Sequence, residues 1–323
     1  MHKDSSYHFP LQNKVLAANR GVENNVLLKI EGGLGDIVCA EPAIRFAMHQ
    51  FKGINWTIQS TSPELFGHLG AKLLRSQDKV NLDEYLVLEG VKIPDSLIWQ
   101  FLPHMTIHSV DYWSMALFGW QQTREFKQIQ LPDFACSNME AQYVKDNAED
   151  FVIIHAGKHF PSKTFSAKWW DSIIREFKAA GFKVCLVGKT IDKHCGYVQT
   201  TESVDVDLRD KLGLFDFVDL LKKGKYLFSN DSAAIHIAAA GDSFIGFIAS
   251  IKHPDYITHT RNNQFGYKTK NFANGFLGDI INISFNNTKL IELNDLPAVI
   301  VNKLLPEASE VAGYYKELRN VSR

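Results

Sequence analysis

The chain is short of several things. Its 323 residues hold only four cysteines, Cys39, Cys136, Cys185 and Cys195, with no C-x-x-C pair among them. That spacing excludes a disulfide framework or a structural zinc cluster and suits a reducing, cytoplasmic setting. No apolar run approaches the roughly 20 residues that cross a bilayer. The most apolar long window, Ala233 to Ser250, is broken by His236, Gly241 and Asp242, so no integral membrane segment is expected. The opening MHKDSSYHFP lacks the apolar segment of a secretory signal. Neither sign of charge dominates: 35 Lys+Arg against 36 Asp+Glu leave a formal charge of -1. Any nucleic acid or anionic membrane must therefore be met by a local patch. Repeats and low-complexity tracts are also absent, and a 45% hydrophobic, 22% charged composition excludes a disordered or collagen-like chain.

What is present is alternation. After a polar lead of about 25 residues, short β-rich runs alternate with longer helical stretches. VLLKI (Val26–Ile30), NWTIQS (Asn55–Ser60) and YLVLEG (Tyr85–Gly90) read as strands, with helices over Asp36–Phe51, from Pro63, and over Asp95–Leu102 and Ser109–Phe118. Pro132 to Asp150 is polar and reads as a link. The pattern then restarts: strands at Phe151–Gly157, Lys183–Gly188, Val204–Leu208, Tyr226–Asn230 and Phe244–Ser250, and helices at Ala167–Ala180, Leu214–Lys223, Asp231–Ala240, Leu293–Leu305 and Ser309–Leu318. Such alternation predicts α/β architecture with parallel sheets, here two Rossmann-like domains facing a central cleft. The expected limits are 1–145, 146–305, and a terminal helical segment 306–323 for which packing back on the N-terminal domain is one arrangement.

Four segments have residue types that carry chemistry. Gly32-Gly33-Leu34-Gly35-Asp36 joins a strand to a helix, where glycines let a ligand approach the backbone and Asp36 offers a carboxylate as general base or as a helix cap. The spacing is not G-x-G-x-x-G and no acid ends the second strand, which counts against a nicotinamide dehydrogenase. His155-Ala156-Gly157-Lys158-His159-Phe160-Pro161-Ser162-Lys163 leaves another strand, and its lysines could neutralise a diphosphate. Ser229-Asn230-Asp231-Ser232-Ala233-Ala234-Ile235-His236 opens a helix with capping residues and accessible N–H groups, a setting for an anion. Lys252, His253, His259, Arg261, Lys268 and Lys270 interleave with Tyr256, Phe265 and Tyr267, a pattern able to grip phosphates and stack on a base or sugar.

In combination these segments resemble glycosyltransferase family 9, the heptosyltransferase-like family. The resemblance rests on Gly33-Leu34-Gly35-Asp36 with Pro42-Ala43-Ile44-Arg45, on His155-Ala156-Gly157 followed by Pro161-Ser162-Lys163-Thr164-Phe165 and Trp169, and on Asn230-Asp231-Ser232-Ala233-Ala234-Ile235-His236. His108-Ser109-Val110-Asp111 and Leu117-Phe118-Gly119 add a further similar segment, so the order holds over residues 26–250. Ala233 replaces the family's glycine. Lys189-Thr190-Ile191-Asp192 stands where some members place a glutamate for the nucleoside, leaving Thr190 or Asp192 for the ribose. Ser250-Ile251-Lys252-His253-Pro254 replaces an expected Phe-Gly-Pro turn.

The resemblance implies a GT-B fold and inverting transfer of a sugar from a nucleotide-diphosphate donor to an acceptor hydroxyl, without a metal or other cofactor. It implies Asp36 as base and Lys163 as stabiliser of the leaving diphosphate. Gly33, Gly35, Gly157, Lys158, Ser162, Gly188, Thr190, Asp231, Ser232, Ala233 and His236 would surround the donor, and Lys252, His253, Arg261 and Lys268 would contact acceptor or phosphate. By family precedent the acceptor is a lipopolysaccharide-core-type saccharide. Two readings stand beside it: a phage-type enzyme that decorates modified bases in DNA, and a non-catalytic nucleotide- or sugar-binding protein.

Overall fold

The structure, a computed structural model, describes residues 24–90, 108–119, 127–159, 163–193, 195–248, 257, 259, 305 and 307–322. Internal contacts divide the chain into two units, Met1–Pro132 and Asp133–Arg323.

In the first unit, the apolar run Asn25–Ile30 (β1) is buried at Val26, Leu27, Leu28 and Ile30. Burial on both faces is the condition of a central parallel strand. It pairs in parallel with β2 (Asn55–Ser60) on one side and β4 (Leu86–Gly90) on the other. β3 (Lys72–Arg75) adds to β2, so the order is β3-β2-β1-β4. α1 (Leu34–Gln50) begins two residues earlier than the sequence suggests, and α2 (Ser109–Phe118) matches its expected limits. The segment from Pro63 is a 3₁₀ helix, Pro63–Leu69. Buried Glu41 in α1 accepts from Arg45 Nε (2.6 Å) and from the Gln130 backbone (2.9 Å), and His68 Nε2 lies 3.1 Å away. Arg45 of the P-A-I-R segment thus braces the unit, donating also to Gln128 O (2.6 Å).

The second unit starts inside the segment read as a link. α3 (Met139–Asp146) lies there, capped by Asn138, whose side chain accepts from Ala141 N. Asp216 takes Ser137 N (2.6 Å) and Asn138 N (3.3 Å), and Lys145 pairs with buried Asp219, which fastens the segment to α5 (Leu214–Lys223). Five parallel strands follow in the order β11-β10-β5-β7-β9: β5 is Phe151–His155, β7 Lys183–Leu186, β9 Val206–Asp207, β10 Tyr226–Asn230 and β11 Phe244–Ile248. A two-stranded antiparallel ribbon joins β6 (Gly157–Lys158) to β8 (Gly196–Tyr197).

α4 (Ala167–Ala179) buries Trp170, Ile173, Ile174 and Phe177, the residues whose helical spacing marks its inner face. The terminal helix α7 (Ala308–Ser322) lies beside it, within the second unit. Val311, Ala312, Tyr315 and Leu318 enter the same core as Trp170, Phe177, Tyr226 and Phe228. Tyr315 donates to Leu227 O, and Arg319 reaches Ala180 O (2.9 Å) and Gly181 O (3.0 Å) while lying 4.0 Å over the Phe182 ring. The reason is composition: the apolar stripe of α7 needs an apolar partner, and α4 with the sheet beneath it supplies one.

Candidate active site

In open α/β sheets a ligand sits beyond the carboxyl ends of the strands, where the strand order reverses. Each unit has one such point. In the first it falls between β1 and β4, where Glu31 N reaches Gly90 O at 3.5 Å. Gly32 (φ +146°), Gly33, Gly35 and Asp36 lie there. A side chain on Gly32 would meet Asp36 Cβ at 2.8 Å, so the turn demands glycine. Asp36, half-buried in the first turn of α1, accepts the Gly33 N–H through Oδ2 at 2.9 Å. The carboxylate is thereby both a cap and a fixed acceptor at the strand end. Near the same sheet, His108 caps α2 through Nδ1, which accepts from Val110 N (3.1 Å).

In the second unit the reversal falls between β5 and β10. Asn230, at the end of β10, holds three points together: its Oδ1 accepts from Gly157 N (3.1 Å), and its Nδ2 donates to Gly157 O (3.0 Å) and Lys163 O (2.6 Å). A Cβ on Gly157 would fall 2.6 Å from Asn230 Oδ1, so this contact requires glycine. Lys163 Nζ lies 2.6 Å from Asp231 Oδ2, with side-chain exposures of 22% and 6%. The charge of Lys163 is thus already offset by Asp231, with which any incoming anion would share the lysine.

Helix α6 is Ala233–Ala238, shorter than the expected Asp231–Ala240. Six residues make little macrodipole. Ser232 is the cap: its Oγ accepts from Ala234 N (3.4 Å) and lies 3.0 Å from His155 Nδ1. Burial pulls the His155 pKa down to about 4, so the ring is neutral near pH 7. His236, expected at the donor, is buried with Nδ1 2.7 Å from His259 Nε2. Ala233 opens the helix.

Beyond β7, Gly188 (φ +152°) has the Tyr197 ring against it, and Thr190 gives its N–H (2.6 Å) and hydroxyl (3.0 Å) to Asp210. Asp210 has φ +58° and also accepts from Tyr197 OH (2.8 Å). Bonds from the Thr190 backbone and the Tyr197 hydroxyl hold its carboxyl below the usual range. Asp192 is spent on its own loop, accepting from Cys195 N (2.8 Å). Lys158 is exposed and donates to Lys193 O (3.3 Å). Ser162, Lys252, His253, Arg261 and Lys268 lie outside the described residues.

Sequence reasoning brought Gly157, Lys163, Asp231, Ser232 and Ala233 to one place, and the structure does gather them. It did not single out Asn230, His155 or Asp210. Asn230 had a signal in its Asn-Asp-Ser run; His155 and Asp210 act through partners 77 and 20 residues away.

Residues 102–244 match glycosyltransferase family 9 (heptosyltransferase). The chain resembles that family. Solved structures share the fold at low identity. A family-9 glycosyltransferase from Veillonella parvula is 13% identical, with a TM-score of 0.55 over 91% of this chain and 97% of that one. The dodecameric, iron-containing heptosyltransferase TibC, solved with ADP-D-β-D-heptose, is 11% identical, with a TM-score of 0.63 over 92% and 77%. The ADP-heptose lipopolysaccharide heptosyltransferase II of Escherichia coli is 12% identical, with a TM-score of 0.51 over 91% and 99%. No curated protein sequence matches. The family-9 match and the shared GT-B fold support a glycosyltransferase enzyme. No helix among the described residues is long and apolar enough to cross a membrane.

Proposed function

We propose that the chain transfers a sugar, with inversion, from a nucleotide-diphosphate donor to an acceptor hydroxyl on a saccharide, in the cytoplasm. The observation that carries this is the group at the second unit's strand reversal, where Asn230 holds Gly157 and the Lys163 backbone together and Lys163 is paired with Asp231. A leaving diphosphate gains negative charge as the glycosidic bond breaks. A held cation and backbone N–H groups stabilise it where it forms, with no need of a metal or a strong acid. Asp231, as a carboxylate, repels phosphate. Its role is to hold Lys163 and accept from sugar hydroxyls. Asp36 takes the proton of the acceptor hydroxyl, the Gly33 N–H fixing the carboxylate's direction.

TibC and heptosyltransferase II are named for heptose transfer, which favours a nucleotide-activated heptose or related sugar and a lipopolysaccharide-type acceptor. Modified DNA gains no support from these relatives.

The test has two parts. A thermal-shift panel of ADP, UDP, GDP, CDP and NAD should show stabilisation by one nucleoside diphosphate, about 2.7 kcal/mol at 100 times its dissociation constant. Stabilisation by NAD alone would overturn the reading. With the donor in hand, Asp36→Asn should lose about 10²–10⁴-fold in turnover while keeping donor affinity, and Lys163→Ala should lose about 10²–10³-fold. Full turnover in both variants rejects the assignment.

A further inference from the structure

The imidazole of His155 is tied to the donor site by a hydroxyl chain that the reaction scheme above leaves unused. His155 ends β5 and lies directly opposite Ser229 of β10 in the parallel register, so both side chains share a face of the sheet. Phe217 of α5 packs against the ring, 6.4 Å between centroids. Ser229 is fully buried and its hydroxyl contacts Asn230 O (2.8 Å), His155 O (3.2 Å) and Ser232 Oγ (3.1 Å). Ser232 Oγ in turn contacts His155 Nδ1 at 3.0 Å.

A hydroxyl has one proton to give. The shortest contact of the Ser229 hydroxyl is to Asn230 O, a carbonyl that can only accept; with its proton there, the Ser232 hydroxyl gives to Ser229 Oγ and Nδ1–H to Ser232 Oγ. Hydrogen positions follow here from the network. In this state Ser232 Oγ receives two donors, Nδ1–H and Ala234 N–H, so its oxygen is fixed. Its proton can then turn from Ser229 to an incoming acceptor without moving the oxygen. Ser232 is half-buried, beside the Lys163–Asp231 pair, where the acceptor would be an oxygen of the donor's diphosphate.

We propose that His155 is a positioning residue for donor binding: its Nδ1 holds the Ser232 oxygen so that the Ser232 hydroxyl donates to a diphosphate oxygen. The inference rests on the donor-site reading above.

The experiment is calorimetric titration of the full chain with ADP and with inorganic pyrophosphate, which probes the phosphate subsite without a base. His155→Phe keeps a ring without Nδ1, and His155→Gln moves the polar group to the distance of Nε2. Both should weaken binding about tenfold, as should Ser232→Ala. His155→Asn, which places an amide at Nδ1, should stay within about twofold of wild type. Combined with Ser232→Ala, His155→Phe or His155→Gln should cost nothing further. A merely structural role gives a different pattern: a lowered melting temperature with unchanged affinity of the single His155 variants in the folded fraction. That pattern overturns the inference, and either of the two variants suffices if the other fails to fold. A wild-type chain that binds neither probe nor any other nucleoside diphosphate rejects the donor site itself. Wild-type binding with His155→Phe or His155→Gln unimpaired rejects only the role of His155.

Discussion

Protonating His155 costs more in the folded chain than in the unfolded one. Its ordinary pKa of 6.5 falls to about 4 because burial disfavours the imidazolium. As pH falls from neutrality the unfolded chain takes up this proton first. The stabilisation is therefore complete above pH 6.5 and is lost between 6.5 and about 4. It amounts to at most about 3 kcal/mol, and less because the residue keeps some exposure. Urea denaturation at intervals from pH 7.5 to 4.5 should show this decline in wild type and a shallower one in His155→Asn; parallel curves would refute it. Asp171, Asp207 and Asp216, with depressed values, contribute above their ordinary 3.8 and lose that contribution below it, outside the histidine's window. The sequence shows which residue types are present here but not their partners. Gly157 and Lys163 are legible because a glycine and a lysine after an apolar strand have few uses. The hold of Asn230 on both is not, since it exists only once β5 and β10 lie side by side.

Among the elements, two glycines that look alike in sequence differ in what surrounds them. Gly241 has its Cβ direction blocked by Lys222 O at 1.8 Å, whereas Gly313, inside α7, has nothing within 4 Å. Gly241→Ala should destabilise by about 3 kcal/mol, since a backbone must shift. Gly313→Ala should stabilise by about 0.5–1 kcal/mol through the entropy that glycine loses in a helix. Paired thermal melts check both, and equal shifts would contradict the argument. Most elements were legible because short runs of β-branched and aromatic residues, bounded by polar or glycine residues, mark the strands: β2 and β10 have the expected limits, as does helix α5. β3 was missed because Lys72-Leu-Leu-Arg75 is four residues with a charge at each end. α3 was missed because only Ala141 and Val144 of its eight residues are buried, so its polar composition passes for a linker.

At the scale of the whole molecule, each unit has its own sheet and core, and the residues assigned to the diphosphate lie in the second. Hydrogen exchange with a bound nucleoside diphosphate should therefore slow in backbone amides of 157–159, 163 and 230–236. Unchanged exchange there at saturating ligand would place the nucleotide elsewhere. The second sheet had a clear sequence signal in the restart of alternation at Phe151, but the start of the second unit at Asp133 and the side on which α7 docks had none, because a polar helix passes for a linker and an apolar stripe does not name its partner. That docking has a consequence for how the protein is made. The first unit's residues have all been synthesised by Pro132, whereas the second unit's core lacks Tyr315 and Leu318 until the ribosome has added 186 more residues, from 132 to 318. At about 5–20 residues per second that takes roughly 10–40 s. Once made, Phe177, Tyr226 and Phe228 lack their covering helix for the rest of that interval, which is when the nascent second unit is most vulnerable to aggregation.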